Sequence, residues 1–494
     1  MDMDRRDFLK AGGIAATATV VPGLVTSCAK GNQEFSDFDV KDSYQAQVVV
    51  VGGGPSGVAA ALAAARQGMK TILVEHGSCL GGMATRGLVE PFMTCYDTTG
   101  EQMIIKGIFE EIVNNLVENG GAIHPKDVRW ESPYTAWMKL GHDHETPFDP
   151  EVLKYVLDTM VLKAGIKVLY HTTFVKSIVK GDRIEKVVLL TKRGLESVKA
   201  DFVIDTTGDG DVAATAGVPF TIGNGQGKVQ PCTLFMRLNN IESDKLIKDV
   251  ESHLPEFKRV NGVSYRALFW YVEQAENAGE WDIERKSVNL HRCVKGDEWS
   301  VNVTRILNVD ALDPESLTAG EIEGRRQVQE VFSFFKKYVP GCKNATLMKT
   351  ADTLGIRESR HIEGEFLLQA DDLLNGVVPE DSILVASNSI DVHGGQGNTN
   401  TTNYTLMKQG RWYGVPYRCL VPKGIRNLLV AGRPISATCE AAGAVRVMPP
   451  CMAMGQAAGI AAAFAVRKAT AAKDVDIDSL RKEIVKQGGF LADQ

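Results

Sequence analysis

The stretch QAQVVVVGGGPSG, residues 45–57, decides the fold. Its first part, Gln45 to Val51, is a short β-branched apolar run, which suits a strand covered on both faces in a parallel sheet. Gly52, Gly54 and Gly57 follow as G-x-G-x-x-G, and Val58 to Ala65 then reads as helix. A second strand, Thr71 to Val74, ends at Glu75. Gly52 permits the tight turn, Gly54 lets a pyrophosphate approach the backbone, and Gly57 lets helix and strand pack closely. The helix N-terminus offers free N–H groups and a positive dipole end to phosphates. Glu75 stands where an acid accepts from ribose hydroxyls. Three glycines alone say little. Strand, glycines, helix, strand and terminal acid in this order make a dinucleotide-binding unit.

The same unit binds NAD or FAD, so the segments beyond it must decide. His76 to Gly87 is a glycine-rich loop that can wrap the far side of a pyrophosphate. Asp149-Pro150 opens a helix through Leu162, and Lys167 to Tyr170 reads as a strand. Thr173–Val179 and Ile184–Leu190 form a hairpin about Gly181-Asp182. The chain returns through Ala200 to Asp205 into the small-residue turn Thr206-Thr207-Gly208-Asp209-Gly210. Asn427 to Arg433 is another buried strand ending in glycine, and Pro449-Pro450 starts a helix rich in alanine and glycine. Small residues let that helix lie close to a flat ligand or another backbone. Its N-terminal dipole favours negative charge on a reduced flavin.

In this order the motifs GGGPSG, LGGMATRG, VIDTTGDGD, GIRESRHIEGE, YGVPYRCLVPKGIRNLLVAGRPIS and GAVRVMPPCMAMGQAAG resemble those of a known family. It comprises bacterial FAD-dependent oxidoreductases of the glutathione-reductase-type fold, distant relatives of fumarate reductase flavoprotein subunits. The resemblance spans residues 45–470 and implies FAD as cofactor. It implies that Gly52, Gly54, Pro55, Ser56, Gly57 and Glu75 hold the ADP half. Gly82, Met83 and Arg86 then lie along the pyrophosphate and flavin, and Val175 faces the adenine. Thr207 and Gly208 cross the ADP end, while Gly432 and Arg433 meet the ribityl–pyrophosphate region. Gly223 to Gly227 is glycine-rich without a flanking βαβ pattern, so no resident NAD(P)H-binding domain is expected.

The expected class is α/β: a Rossmann-like FAD-binding domain with a parallel sheet, discontinuous in sequence, and an inserted α+β substrate domain. The FAD domain takes 45–95, 150–225 and 420–470, with a helical insertion at 96–149. Residues 226–419 form the substrate or cap domain, and 471–494 a C-terminal helix.

On the substrate side, His393 sits in the polar glycine-rich loop Asp391 to Asn400. Its ordinary pKa suits it to accept a proton while hydride leaves a substrate. Glu440 and Arg446 flank a small-residue segment before the Pro449 helix. Arg446 either orients a substrate carboxylate or hydroxyl or pairs with Glu440 to anchor the loop. Where relatives carry histidine, this chain has Cys439 and Ala442, so no proton-transfer role carries over there. Arg357, Glu358, Arg360 and His361 stand at helical spacings and read as a structural ion-pair network. His142-Asp143-His144 lacks a third ligand and reads as a solvated loop, so no metal is expected.

The composition is that of a soluble globular protein, 44% hydrophobic and 23% charged. A net charge of -6 without a basic stripe argues against nucleic acid. The nine cysteines form no C-x-x-C pair, and all but Cys28 read as scattered buried thiols. Arg5 to Lys10, RRDFLK, resembles a twin-arginine export signal, followed by an apolar run from Ile14 to Val25 that is too short to span a bilayer. Leu24 to Cys28 resembles a bacterial lipobox with Cys28 as the lipidated residue. Residues 1–28 are thus the signal and 29–44 a tether.

The leading expectation is an exported, membrane-anchored flavoenzyme on the periplasmic or outer face. It takes hydride from a small organic donor onto FAD and is reoxidised by a quinone or a redox protein. A second reading reverses direction: an ene reductase in which Arg446 or Arg418 serves as acid or carboxylate clamp. A third is a lipid-anchored binding protein without catalysis.

Overall fold

A computed structural model of the chain describes residues 40–492, apart from 130–131, 136, 138–142, 258, 261–262, 265–266, 287, 395–402, 406–409 and 411. The proposed export signal, Cys28, His142, Gln396 and Asn398 lie outside the described residues.

The main sheet begins with β1 (Lys41–Val51). Val48 and Val50 enter one core, and Val49 and Val51 another on the opposite face. Both faces of the strand are therefore covered, as the unbroken valine run requires. α1 (Pro55–Arg66), β2 (Thr71–Val74), α2 (Ile108–Glu118) and α3 (Pro150–Lys163) follow, then β3 (Lys167–Leu169). β4 (Thr173–Lys180), β5 (Arg183–Thr191) and β6 (Gly194–Asp205) form an antiparallel meander. The strand order is β3-β2-β1-β6-β5-β4, and Leu428–Val430 also pairs with β6. β6 is divided: its first half faces β5, and Val203 to Asp205 run parallel to Leu428–Val430. β1, β2, β3 and the Leu428–Val430 strand all run parallel within this sheet.

The register sets the position of the site. Val51 is level with Val74 and Asp205, Val74 with Leu169, and Asp205 with Val430. Gly52–Gly54, Glu75, Thr206–Gly208 and Ala431–Arg433 therefore leave the sheet side by side at its carboxyl edge. Ligands of open α/β sheets bind outside that edge.

A second sheet has its own core. β7 (Met236–Asn239), β8 (Asn289–Arg292), β9 (Trp299–Asn302) and β10 (Thr346–Thr350) are antiparallel in the order β8-β9-β7-β10. Met236, Leu238, Leu290, Trp299 and Val301 join Val328, Val331, Phe334 and Phe335 of α4 (Pro314–Tyr338) in that core. Asp313 caps α4 by accepting from Ser316 N at 3.0 Å, and Pro314 occupies the first turn. Arg237, Ser300 and His291 are cross-strand neighbours, so they share the other, polar face. Glu90 lies 3.3 Å from Arg237 and Glu145 lies 3.2 Å from His291. Both carboxylates are buried.

α5 (Cys439–Val445), α6 (Met448–Lys468) and α7 (Ile477–Lys486) complete the described chain. α6 is long and apolar enough to cross a membrane, but it lies buried in the protein core. Its small residues bring it onto α1: a Cβ on Gly455 would stand 2.1 Å from Ser56 O, and one on Gly459 2.2 Å from Ala60 O.

Two expectations need correction. Arg357–His361 is not helical: Arg360–Ile362 pairs as a strand with Phe220–Ile222. His144 is buried, not solvated: it stacks on Tyr96 at 3.8 Å and its ring nitrogens meet Pro125 O and Gly100 O. The eight described cysteines are all buried.

Candidate functional site

Two sets of residues meet at the carboxyl edge. The first is the glycine turn and its supports. Gly52 has φ +106°, and a Cβ there would stand 2.3 Å from Thr206 O. A Cβ on Gly57 would stand 1.8 Å from Gly52 O. Gly54 is different: a Cβ there meets nothing within 4 Å, so open space lies beside its backbone. α1 starts at Gly54 with no side-chain cap. By contrast Asp149, Asp313 and Asp476 cap α3, α4 and α7. The uncapped first turn presents N–H groups and a partial positive charge to that space.

Glu75 is 3% exposed and accepts from Gly53 N at 2.8 Å and Gly77 N at 2.6 Å. Arg86 Nη1 reaches His76 Nε2 at 2.6 Å and lies 4.0 Å from Glu75. Gly81 N donates to Gly53 O at 2.8 Å, folding the Gly82–Met83 turn against Gly54. Asp205 organises the opposite lip, accepting from Thr207 N, Thr207 Oγ1 and Ala213 N at 2.8–3.1 Å. Burial, opposed by those bonds, raises its carboxyl to about 6. Arg433 pairs with Asp209 at 2.7 Å beside Gly208, and its Nη1 is a buried atom with no partner. Gly432 abuts Ser56, where a Cβ would stand 2.5 Å from the hydroxyl. Val175 lies on β4 with its side chain exposed. Open space at Gly54, an uncapped helix start, a buried terminal acid and an unpartnered guanidinium nitrogen fit the diphosphate and ribose of FAD.

The second set surrounds Arg446, at the end of α5. Cys451 Sγ, one turn into α6, donates to Arg446 O at 3.2 Å. α6, whose start also lacks a side-chain cap, packs on Ser56 through Gly455. Arg446 is thus tied to the glycine turn through one helix. Its guanidinium does not pair with Glu440, which is exposed. Instead it donates to Arg357 O at 2.9 Å, Asp391 O at 3.0 Å and Gln230 Oε1 at 3.2 Å. His393 N donates to the same Gln230 oxygen at 3.0 Å. Gln230 N and Nε2 donate to the two oxygens of Glu358 at 2.7 and 3.1 Å. Cys439 Sγ lies 3.1 Å from Glu358 Oε2, and His361 Nε2 3.7 Å.

His393 is 7% exposed, with Nε2 3.3 Å from Asp391 Oδ2. Burial, reinforced by the Arg357 charge and opposed by Asp391, holds its pKa down at about 3. The imidazole is therefore neutral at physiological pH. With the Nε2 proton turned to Asp391, Nδ1 is the acceptor. Glu358 feels burial upward, but bonds from His361, Cys439 and Gln230 prevail and lower its pKa. Arg418 stands apart: it is half-exposed, pairs with Asp381 and covers Phe366.

Sequence reasoning missed Gln230 and the inward turn of Glu358. A lone glutamine in a loop carries no periodic or motif signal. The spacing at 357–361 pointed to the i,i+3 partners Glu358 and His361, which do meet, but not to Gln230 or Cys439.

The family model described as FAD dependent oxidoreductase matches residues 47–484. Among curated proteins, the thiamine thiazole synthase of Methanococcus vannielii is 29% identical over 191 residues, covering 36% of this chain and 63% of that protein. That of Methanococcus aeolicus is 30% identical over 184 residues, covering 35% and 59%. The chain thus spans less than two thirds of the length of these relatives. Among solved structures, p-nitrophenol 4-monooxygenase from Pseudomonas putida DLL-E4 is 12% identical with a TM-score of 0.46, covering 87% and 82% of the two chains. L-proline dehydrogenase from P. horikoshii is 12% identical with a TM-score of 0.39, covering 92% and 100%.

Proposed function

The chain belongs to the FAD-dependent oxidoreductase family, and from that premise we propose that it oxidises a small organic donor bearing a C–H and an ionisable O–H. The observation that carries this reading is the neutral, buried His393, paired with the half-buried Asp391 beside Arg446, itself tied to the glycine turn.

FAD, when bound, supplies the two-electron acceptor for the donor's hydride. His393 Nδ1 takes the hydroxyl proton, and the new imidazolium is stabilised by Asp391. As C–H and O–H break, the donor carbon gains a double bond to oxygen. Arg446 stands where it can hold the donor's polar end, its carbonyl partners fixing the guanidinium plane. Burial of His393, Gln230 and Glu358 excludes water from their side of the network. Reoxidation by a quinone or small redox protein and delivery by the twin-arginine route to a lipid anchor at Cys28 complete the proposal.

Anaerobic mixing of the oxidised holoprotein with a panel of hydroxy compounds tests it through loss of flavin absorbance. His393→Asn should slow that bleaching by about 10²-fold or more while FAD content stays full. Fast reoxidation of the reduced enzyme by an enoate, with no bleaching by any hydroxy compound, would overturn the assigned direction.

A further inference from the structure

Gln230 sits between the two groups on which the proposed chemistry rests. Its Oε1 accepts from His393 N at 3.0 Å and from Arg446 Nη2 at 3.2 Å. An amide shows an oxygen on one side and an NH2 on the other, so its orientation decides which neighbours it can serve. Glu358 fixes that orientation from the opposite side. A carboxylate only accepts, and its oxygens take Gln230 N at 2.7 Å and Gln230 Nε2 at 3.1 Å. The NH2 must therefore face Glu358, and the oxygen must face Arg446 and the His393 backbone. Gln230 and Glu358 are 4% and 3% exposed, so solvent cannot substitute for either.

The inference is that Glu358 and Gln230 are positioning residues: we propose that their polarity relay aims Arg446 and seats the His393 segment beside the flavin. Neither touches a reacting atom. The relay rests on the proposed function, in which Arg446 holds the donor's polar end beside the flavin, a position its link through Cys451 and α6 to Ser56 supports. A guanidinium held there stabilises the charge of the reduced cofactor, so its aim is legible in the midpoint potential.

The experiment is dye-equilibrated reductive titration of purified holoprotein: wild type, Arg446→Met, Gln230→Leu, Glu358→Gln and the double Arg446→Met/Glu358→Gln. Arg446→Met should make reduction about tenfold less favourable, a potential about 30 mV more negative. Gln230→Leu and Glu358→Gln should each cost about threefold, or about 14 mV in the same direction. The sign for Glu358→Gln discriminates. If Glu358 acted only as a nearby negative charge, removing it would raise the potential. As the group that holds Gln230, its amide replacement sets an NH2 against the Gln230 N–H or NH2 that the carboxylate accepted, so Gln230 shifts, Arg446 loses its aim and the potential falls. The double variant should match Arg446→Met alone, because both changes act through one guanidinium.

An unchanged or raised potential in Glu358→Gln, with Arg446→Met still lowered, overturns the relay. A potential unmoved in Arg446→Met refutes instead the placement of Arg446 against the flavin. If Gln230→Leu does not retain FAD, the isosteric Glu358→Gln carries the test. Loss of FAD from Glu358→Gln as well would overturn the relay in favour of a scaffold role.

Discussion

His393 shows how burial sets chemistry at a single side chain. With its pKa near 3, it stays unprotonated throughout the neutral range, but the ordinary pKa expected from the sequence does not hold and the buried imidazole is a weaker base than a free one. The rate of flavin bleaching by donor should therefore show no histidine limb from about pH 5 to about pH 8. A limb near the ordinary histidine value, measured by stopped flow, would count against this role. Glu90 carries the opposite lesson, and its readout is stability. Burial, opposed by Arg237 and His291, raises its carboxyl to about 7 from 4.5. The folded protein then keeps a proton that the unfolded chain releases. This stabilisation is complete below about pH 4.5 and is lost as pH rises through 7, up to about 3 kcal/mol. Glu90→Gln should flatten that decline, and Tm measured from about pH 5 to about pH 8 would show it.

At the level of elements, the contact between α1 and α6 leaves no room for one methyl group. Gly455→Ala drives a Cβ towards Ser56 O. It should cost about 1–3 kcal/mol, with FAD lost on gel filtration, because Ser56 stands in the phosphate turn. This pairing was half legible in the sequence. The Pro449-Pro450 start and the run of small residues promised a close neighbour, a flat ligand or another backbone, and only the structure shows that it is α1. The hairpin at Gly181-Asp182 and the strand entering Thr206 were equally plain, since period and turn residues agree there. What escaped was non-local. Gln230 meets Glu358 across 128 residues and Arg446 across 216, and no local pattern encodes such a meeting. At 357–361 local spacing suggested helix, but Arg360–Ile362 pairs as a strand with Phe220–Ile222. His144 likewise looked solvated because its partners, Tyr96 and the Pro125 and Gly100 carbonyls, come from elsewhere in the chain.

For the whole molecule, the proposed export route and the cofactor site make a joint prediction. Replacing Arg5 and Arg6 with lysine should leave the chain FAD-loaded inside the cell, and fractionation should find it absent from the outer compartments. Unchanged export of flavin-loaded protein would break the link. The divided strand β6 adds a matter of timing. Its carboxyl half has a partner on one side in β1 and acquires the other only when Leu428–Val430 arrives. Of the two lips of the cradle, Gly52–Gly57 is therefore made long before Gly432–Arg433. A chain still on the ribosome at residue 425 has the first lip and no second one. FAD capture thus waits for the Leu428–Arg433 segment to be made, and a chain stalled before it should emerge colourless.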